Sequence, residues 1–330
     1  MRIIFDIFFI ISLSTLSCLT INPLVKRIGL IFNLVDLKKG KRIGKNLVRI
    51  GGLSIFISFM ISLISYLIIN PYFSNYEVLY VLITGSFIFF IIGLLDDLFN
   101  LSPFLRLIIE FATSAFIWAG GIKIQYLDIS FIIGGYNNLT LPTFLSLLIT
   151  CFWIVGIINA FNWIDGLDGL SSSLSIICSS GFLIISILLS NQFSVYICSS
   201  IIGSCLGFLY LNKYPAKIIM GDCGSHFLGF IMATISIISS RNIILENNSL
   251  IALIPLLILS FPLTDMFFVI LKRLINNKSP FFPDRSHFHY KLIDAGFSYQ
   301  ETLNLLFLCS IFGSTLAIIY LIIFQSKYYL

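Results

Sequence analysis

The chain of 330 residues is apolar along most of its length, since 58% of its residues are hydrophobic and only 11% are charged. Soluble domains usually have about 25% charged residues, so this composition excludes a soluble protein and indicates a protein of the lipid bilayer. The formal net charge of +5 comes largely from loops between apolar segments, and nothing in the sequence indicates a nucleic-acid partner.

Ten segments of the sequence are long and apolar enough to cross a hydrocarbon core of about 30 Å as helices. In chain order they lie near residues 3–21, 51–69, 78–95, 104–121, 143–161, 170–189, 193–211, 226–239, 250–272 and 303–324. The first has Arg2 as its only basic flank and no small-residue cleavage site after it, so we expect a permanent helix and not a secretory signal. The sequence therefore predicts one all-α integral membrane domain over residues 1–330.

The basic residues predict the orientation of these helices, because short cytoplasmic loops are rich in Lys and Arg. One set of alternating loops holds 15 Lys or Arg residues, whereas the opposite set, with both termini, holds four. We therefore expect both termini outside the cell. The loops expected in the cytoplasm are 22–50, 96–103, 162–169, 212–225 and 273–302, the last counted together with the adjoining Lys272. Most of the carboxylates fall in these same loops, so any chemistry is expected at the cytoplasmic face.

An acidic pair, Asp96 and Asp97, ends the third apolar segment, and Arg106 follows near the start of the fourth. Adjacent carboxylates repel each other unless a cation or a proton lies between them or they point apart. The pair is therefore either a ligand-binding feature or a solvated helix end.

The stretch "NAFNWIDGLDGL" at residues 159–170 repeats an amide or a carboxylate every third residue. This spacing predicts that Asn159, Asn162, Asp165 and Asp168 lie along one edge of a 3₁₀ turn or over a narrow arc of an α-helix. A helix cap followed by a turn is the simpler alternative, but a cap needs only one such residue. The stretch therefore favours a binding site.

Asp222 lies in "MGDCGS", between two glycines at the mouth of an apolar segment, where an Asp can be a ligand or a plain N-cap. The seven cysteines form no CxxC pair and are expected to be buried apolar side chains. Cys223 is the exception, because it follows Asp222. If its loop lines a ligand site, we expect a thiol reagent to inhibit the protein.

The loop before the last apolar segment contains "PDRSHFHYKL", with Asp284, Arg285, His287, His289 and Lys291. An HxH pair can bind zinc, but no cysteine or further histidine completes a zinc pattern. Basic side chains beside acidic loops favour instead a phosphorylated ligand, bridged to carboxylates by a hard cation such as Mg²⁺.

Glu110 and Asp265 are predicted inside apolar helices. Ionisable groups are costly there and are candidates for function, although both lie near helix ends, where snorkelling to the interface is an equal alternative.

Five stretches in order resemble the polyprenyl-phosphate N-acetylhexosamine-1-phosphate transferase family. They are "RIGG" at 49–52, "LLDD" at 94–97, "NAFNWIDGLDGL" at 159–170, "MGDCGS" at 220–225 and "PDRSHFH" at 283–289. The resemblance implies transfer of a sugar 1-phosphate from a UDP-N-acetylhexosamine to a polyprenyl phosphate such as undecaprenyl phosphate, with release of UMP. It also implies dependence on Mg²⁺ or Mn²⁺ and a place in the bacterial cytoplasmic (inner) membrane.

The resemblance also implies roles for individual residues. Asn162 and Asp222 would be the metal ligands, and Asp96 and Asp97 the acidic pair beside the acceptor phosphate. The residues that would bind substrates are Arg106, at the phosphates, and Asp165, Asp168, Arg285, His287 and His289, at the nucleotide-sugar site. Many members with the HxH motif have a further histidine where this chain has Tyr290, so the donor sugar stays open, with UDP-GlcNAc as the default.

A multi-pass transporter is the alternative class, because intramembrane carboxylates can also carry protons or ions. A transporter predicts acidic groups near mid-membrane and a path through both faces. This sequence gathers its polar groups at one predicted face, which favours the transferase. A catalytically inactive assembly partner and a homodimer are both left open by the sequence.

Overall fold

The structure is a computed structural model that describes residues 2–35, 47–69, 76–128, 138–244, 253–280 and 285–328. These residues form helices α1 Arg2–Ile31, α2 Gly52–Ile69, α3 Tyr76–Phe99, α4 Pro103–Ala119, α5 Thr143–Ile164, α6 Leu170–Leu188, α7 Gln192–Asn212, α8 Gly221–Ile244, α9 Leu253–Ile258, α10 Ser260–Ile275, α11 Phe288–Asp294 and α12 Tyr299–Tyr328. Between α4 and α5, the short strands β1 Tyr126–Asp128 and β2 Asn138–Thr140 pair antiparallel, with Leu127 opposite Leu139.

Seven helices of the described residues are long and apolar enough to cross a membrane: α1, α3, α5, α6, α7, α8 and α12. They confirm a multi-pass, all-α membrane protein whose strands are limited, in the described ranges, to one short hairpin. The apolar helix α2 is shorter, and α4 has 17 residues. Ten membrane crossings therefore remain a prediction.

The predicted segment 250–272 is interrupted, because its described part forms two helices that meet at Leu259. Pro262 lies three residues further on and has no N–H group to donate to the carbonyl of Ile258, the last residue of α9. The break places Asp265 within α10.

Helix α8 lies at the centre of the bundle, where it contacts α2, α3, α5, α6, α7 and α9. Two glycines allow close approach on two of its sides. A Cβ atom at Gly93 of α3 would overlap the Asp222 carbonyl, and a Cβ atom at Gly229 of α8 would lie 2.6 Å from the Cα atom of Ile158 in α5. The first turn of α8 is consequently held against the end of α3, and a later turn of α8 against α5.

Aromatic side chains fill the centre of the bundle around α8. Phe227 meets Phe59 of α2 edge to face at 5.3 Å, and Phe230 stacks on Phe89 of α3 at 4.9 Å. Apolar side chains are also exposed around the bundle, for example Leu308, Phe312 and Ile319 of α12. Exposure of this kind suits contact with lipid.

The polar stretches meet at one end of this bundle. The end of α3, the start of α4, the end of α5 and the start of α8 are joined there by ion pairs and hydrogen bonds between their side chains. The β hairpin lies at the other ends of α4 and α5.

Candidate active site

Asp222 lies in the first turn of α8, where the preceding residue must be glycine. Gly221 has a φ of +76°, and a Cβ atom there would overlap the carbonyl of Arg49. Backbone hydrogen bonds hold the two segments together, from Gly51 N to the Ile219 carbonyl at 2.9 Å and from Gly52 N to the Met220 carbonyl at 2.7 Å. The "RIGG" stretch thus fixes the start of α8.

Asp97 caps the same helix from α3. Its two carboxylate oxygens accept hydrogen bonds from the backbone N–H groups of Asp222 and Cys223, both at 2.9 Å. Its side chain is 1% exposed and also accepts from Arg49 Nε at 2.8 Å. A carboxylate is favourable at this position because the N-terminus of a helix has unpaired N–H groups and a partial positive charge.

Arg49 bridges the two carboxylates, since its Nη2 atom lies 2.8 Å from Asp222 Oδ2 while its Nε contacts Asp97. Arg49 belongs to the "RIGG" stretch, for which the family resemblance alone implied no role. The available signal was a basic residue two positions before a Gly pair, in a stretch that resembled the family, but its distance in sequence from Asp97 and Asp222 concealed the contact.

Asn162, in the last turn of α5, also contacts Asp222. Its Nδ2 atom donates to Asp222 Oδ1 at 2.8 Å and lies 3.0 Å from Ser225 Oγ. The structure therefore brings the two predicted metal ligands side by side. Rotation of the Asn162 amide would present its oxygen, and two oxygen donors suit Mg²⁺, which usually keeps several waters.

Asn162 and Asp222 supply only two ligands to a metal ion. The described part of the chain contains no group of three or more His, Cys, Asp or Glu that could hold one. Asp222 is nonetheless the most exposed of the carboxylates that Arg49 and Arg106 contact, with 24% of its side chain accessible. It is the one of these carboxylates best placed to meet a ligand from solvent.

Asp96 points away from Asp97 and pairs with another arginine. Arg106 Nη1 of α4 lies 2.6 Å from Asp96 Oδ2, and Arg106 Nε lies 3.6 Å from Glu110 Oε1. The alternative of a solvated helix end is wrong, because both members of the acidic pair are buried or nearly so. Their repulsion is relieved by separate arginine partners.

The "NAFNWIDGLDGL" stretch does not continue as one helical edge. Helix α5 ends at Ile164, Asp165 is its C-cap residue, and Gly169 at φ +76° is the N-cap residue of α6. Asp168 lies beyond this end and is buried, with Oδ2 accepting from the backbone N–H of Ala216 at 3.0 Å. The predicted common edge therefore holds for Asn159 and Asn162 alone, because the glycine-rich turn breaks the helix.

The HxH pair lies beside this turn. His287 and His289 stack with ring centroids 5.4 Å apart, and a Cβ atom at Gly166 would overlap His289 Nε2. Trp163 meets the ring of His287 edge to face at 6.2 Å. The two stretches predicted to bind the nucleotide sugar are therefore neighbours, and their role stays a prediction.

Asp265 has a clear partner in this region. Its Oδ2 lies 2.7 Å from His287 Nδ1, and its Oδ1 accepts from the backbone N–H of Phe288 at 2.8 Å. Buried at this position, it orients the imidazole and does not snorkel. Nearby, partial burial lowers the pKa of Lys291, and the charge of Lys272 lowers it further, while Asp265 acts in the opposite direction.

Arg285 lies apart from the buried pair. It contacts Asp294 at 2.7 Å on the surface, with 60% of its side chain exposed, and its guanidinium covers the Tyr290 ring at 5.1 Å. Asp284, the residue before it, lies outside the described residues.

Cys223 is buried, which corrects the expectation that a thiol reagent would reach it. Its Sγ atom lies 3.6 Å from the Met220 carbonyl, beneath the turn that carries Asp222. Helix packing at Gly52 and Gly93 covers this turn, which the sequence did not reveal. Of the seven cysteines, only Cys309 is exposed.

The sequence is similar to known bacterial transferases. Residues 78–240, which include Asp96, Asp97, Asn162 and Asp222, match the family described as glycosyl transferase family 4. A probable undecaprenyl-phosphate N-acetylglucosaminyl 1-phosphate transferase of Bacillus subtilis is 33% identical over 94% of this chain and 83% of that protein.

Two further relatives have similar names. The undecaprenyl-phosphate alpha-N-acetylglucosaminyl 1-phosphate transferase of Escherichia coli strain K12 is 30% identical over 92% of this chain and 80% of that protein. The decaprenyl-phosphate N-acetylglucosaminephosphotransferase of Mycobacterium leprae is 30% identical over 66% of this chain and 58% of that protein.

Proposed function

Because the chain belongs to glycosyl transferase family 4, the polyprenyl-phosphate N-acetylhexosamine-1-phosphate transferases, we propose that it transfers N-acetylhexosamine 1-phosphate from a UDP-sugar to a polyprenyl phosphate. The products are UMP and a lipid-linked diphosphate sugar, the first intermediate of a cell-surface glycan. The names of the relatives support GlcNAc as the sugar and undecaprenyl phosphate as the acceptor.

One observation supports this proposal most directly: Arg49 and Arg106 lie at the same end of the bundle as Asn162 and Asp222. Donor and acceptor are both phosphorylated, so their approach requires positive charge that offsets their repulsion. Each arginine has five N–H donors in a planar fork that suits phosphate oxygens.

The acceptor needs little help from a base. A phosphate monoester with a second pKa of about 6 is already largely dianionic at neutral pH. We therefore assign positioning roles to the acidic pair: Asp96 holds Arg106, and Asp97 holds Arg49 and the first turn of α8.

The residues at the start of α8 fit Mg²⁺, with Mn²⁺ as a second candidate. Asp222 and Asn162 would hold the ion through one carboxylate and one amide oxygen, and Arg49 would share the Asp222 carboxylate with it. A bound divalent ion would lower the negative charge of the donor diphosphate.

His287 is assigned to the donor side of the site. Because Asp265 accepts from its Nδ1 atom, the other ring nitrogen is left to face a ligand, and His289 and Trp163 complete an aromatic wall beside it. Such a wall suits a nucleotide base or a sugar ring.

Location and topology belong to the same proposal. We place the protein in the bacterial cytoplasmic membrane, with both termini outside and the site at the cytoplasmic face, where UDP-sugars are made. The transporter alternative is disfavoured by the named transferase relatives.

The test uses the purified full-length protein in lipid nanodiscs with Mg²⁺, undecaprenyl phosphate and, in turn, a panel of UDP-N-acetylhexosamines. We expect one donor to give UMP and a lipid-linked diphosphate sugar in equal amounts, measured by mass spectrometry. Absence of any lipid-linked product across the panel, from protein shown to be folded, would overturn the proposal.

A further inference from the structure

A second polar cluster lies behind the site, inside the bundle. It consists of Glu110 on α4, His226 on α8 and Asn159 on α5, none of them more than 4% exposed. Glu110 Oε1 lies 3.1 Å from His226 Nε2, and Glu110 Oε2 accepts from Asn159 Nδ2 at 2.7 Å. Ionisable side chains are costly inside a membrane protein, so this cluster calls for a role.

The orientation of His226 follows from its partners. Its Nδ1 atom lies 2.8 Å from the carbonyl oxygen of Asp222, which can only accept, so Nδ1 carries a hydrogen. Its Nε2 atom faces Glu110 Oε1, so a hydrogen also lies between these two atoms. The imidazole therefore ties Glu110 to the backbone of Asp222.

Glu110 also faces the other half of the site. Arg106 Nε lies 3.6 Å from Glu110 Oε1, and Arg106 Nη1 lies 2.6 Å from Asp96. A path of three hydrogen bonds and one ion pair of 3.6 Å thus runs from Asp96 through Arg106, Glu110 and His226 to Asp222. Its two ends are the two halves of the proposed active site.

We propose that Glu110 and His226 are positioning residues that fix the first turn of α8, and with it Asp222, relative to Arg106. This inference rests on the proposed function for its link to catalysis. A displacement of catalytic groups by about 1 Å can lower a rate by a factor of about 100, so a rigid connection between the halves has a direct use.

A structural role of the pair alone makes a different prediction. Replacing both members of a buried polar pair by apolar residues is often neutral or stabilising, whereas removing one member leaves the other unpaired. A purely structural pair can therefore be replaced by two leucines without loss of turnover. A positioning pair cannot.

The first variant is the double replacement Glu110→Leu with His226→Leu. We expect the variant to fold, because Asn159 still donates to the Val155 carbonyl and Arg106 still pairs with Asp96, and its kcat to fall by roughly 10- to 100-fold. Thr234→Val is the matched control, because Thr234 is buried on the same helix and donates only to carbonyls of its own helix, those of Phe230 and Ile231. It should keep the parental kcat.

The second variant is Glu110→Gln, which keeps the size of the side chain. The glutamine amide can donate to His226 Nε2 while its oxygen accepts from Asn159, so these two hydrogen bonds survive, but the amide nitrogen cannot pair with Arg106 Nε. We expect a kcat between those of the parent and the double-leucine variant, because the link to Asp222 is kept and the ion pair with Arg106 is lost.

A third measurement does not depend on activity. Cys223 is buried under the turn that His226 holds, so its alkylation rate in folded protein reports on opening of that turn. In the double-leucine variant, we expect alkylation of Cys223, mapped by mass spectrometry, to rise roughly tenfold. Cys198, buried on α7, is the internal reference and should react at its parental rate.

The outcomes separate the two proposals. Loss of kcat together with faster alkylation of Cys223 supports positioning by Glu110 and His226. Parental kcat or parental alkylation in the folded double-leucine variant overturns it. If the parent itself makes no lipid-linked product, the proposed function fails, while the alkylation rates still decide whether the pair holds the start of α8.

Discussion

At the scale of single residues, the site divides its carboxylates by exposure. Asp97 is enclosed by Arg49 and two backbone N–H groups, whereas Asp222 keeps an accessible edge. A buried carboxylate is stable only with such partners. The oxygens of Asp97 are therefore occupied by contacts within the protein, whereas Asp222 is accessible to a ligand. Two residues of the same type therefore have different tasks.

The first residue-scale prediction concerns Asp222. Asp222→Asn keeps the size of the side chain and one oxygen but removes the charge, so we expect kcat to fall by about 100-fold or more with the protein still folded. The control is Asp6→Asn, because Asp6 contacts Tyr196 near the start of α1 and an asparagine oxygen can accept the same hydrogen bond. Parental turnover of Asp222→Asn with an unchanged Mg²⁺ requirement would contradict the metal assignment.

The second residue-scale prediction concerns Asp265. Asp265→Ala removes the acceptor that orients His287, so kcat/KM for the UDP-sugar should fall by about tenfold or more. The KM for polyprenyl phosphate should change little, because the pair lies on the donor side. Steady-state kinetics with each substrate varied in turn measure both effects, and an equal rise in the two KM values would argue against a donor-side role.

At the scale of elements, the site depends on how closely helices approach one another. The first turn of α8 is pressed between the "RIGG" segment and α3, where glycines leave no room for a side chain. The close contact lets Asp97 reach the N–H groups of α8 directly. The same glycines therefore set both the close helix packing and the positions of the charged side chains.

The element-scale prediction is that Gly221→Ala destabilises the fold and abolishes activity. Its Cβ atom would overlap the Arg49 carbonyl and lie 2.6 Å from Asp97 Oδ2, in addition to the cost of about 1–2 kcal/mol for positive φ. Gly121→Ala is the control, because Gly121 also has positive φ but no atom lies within 4 Å of its Cβ position. Thermal unfolding should show a clearly larger loss for Gly221→Ala, and equal losses would refute the steric argument.

The sequence predicted a contact of the site correctly where local spacing or the family resemblance indicated both residues. Asn162 and Asp222 meet as predicted. Arg49 and His226 were missed, because their partners Asp97 and Glu110 are remote in sequence and contact them only after helix packing. The end of α5 was misjudged for a related reason, since a spacing of three residues cannot show where a glycine-rich turn stops a helix.

At the scale of the whole molecule, the described contacts place the candidate site at one end of a membrane bundle and the β hairpin at the other. This polarity agrees with the split of basic residues between the two sets of loops. Part of the most basic loop, residues 36–46, lies outside the described residues. The same is true of residues 245–249, in the segment 240–249 that the alternation of loops predicts to be outside the cell.

The whole-molecule prediction is that the site end faces the cytoplasm. A reporter fused at Lys278, close to the end of α10, should score as cytoplasmic, and one fused at Lys123, between α4 and β1, should score as external. A second reporter in the basic loop, at Lys45, should match Lys278. An external score at Lys278 together with a cytoplasmic score at Lys123 would invert the topology and place the site outside.

The central position of α8 has a consequence for how the protein is made. Among the seven candidate spans, α8 has the lowest mean hydropathy, 1.3 against 2.6 for α3, and 89% of its apolar window is covered by protein. Such a helix gains little from lipid on leaving the translocon, but five of its six contacting helices, α2, α3, α5, α6 and α7, are synthesised before it. We therefore expect insertion of α8 to depend on the earlier helices, which bring Asp97 and Asn162 to Asp222 before the segment that carries His287 is made.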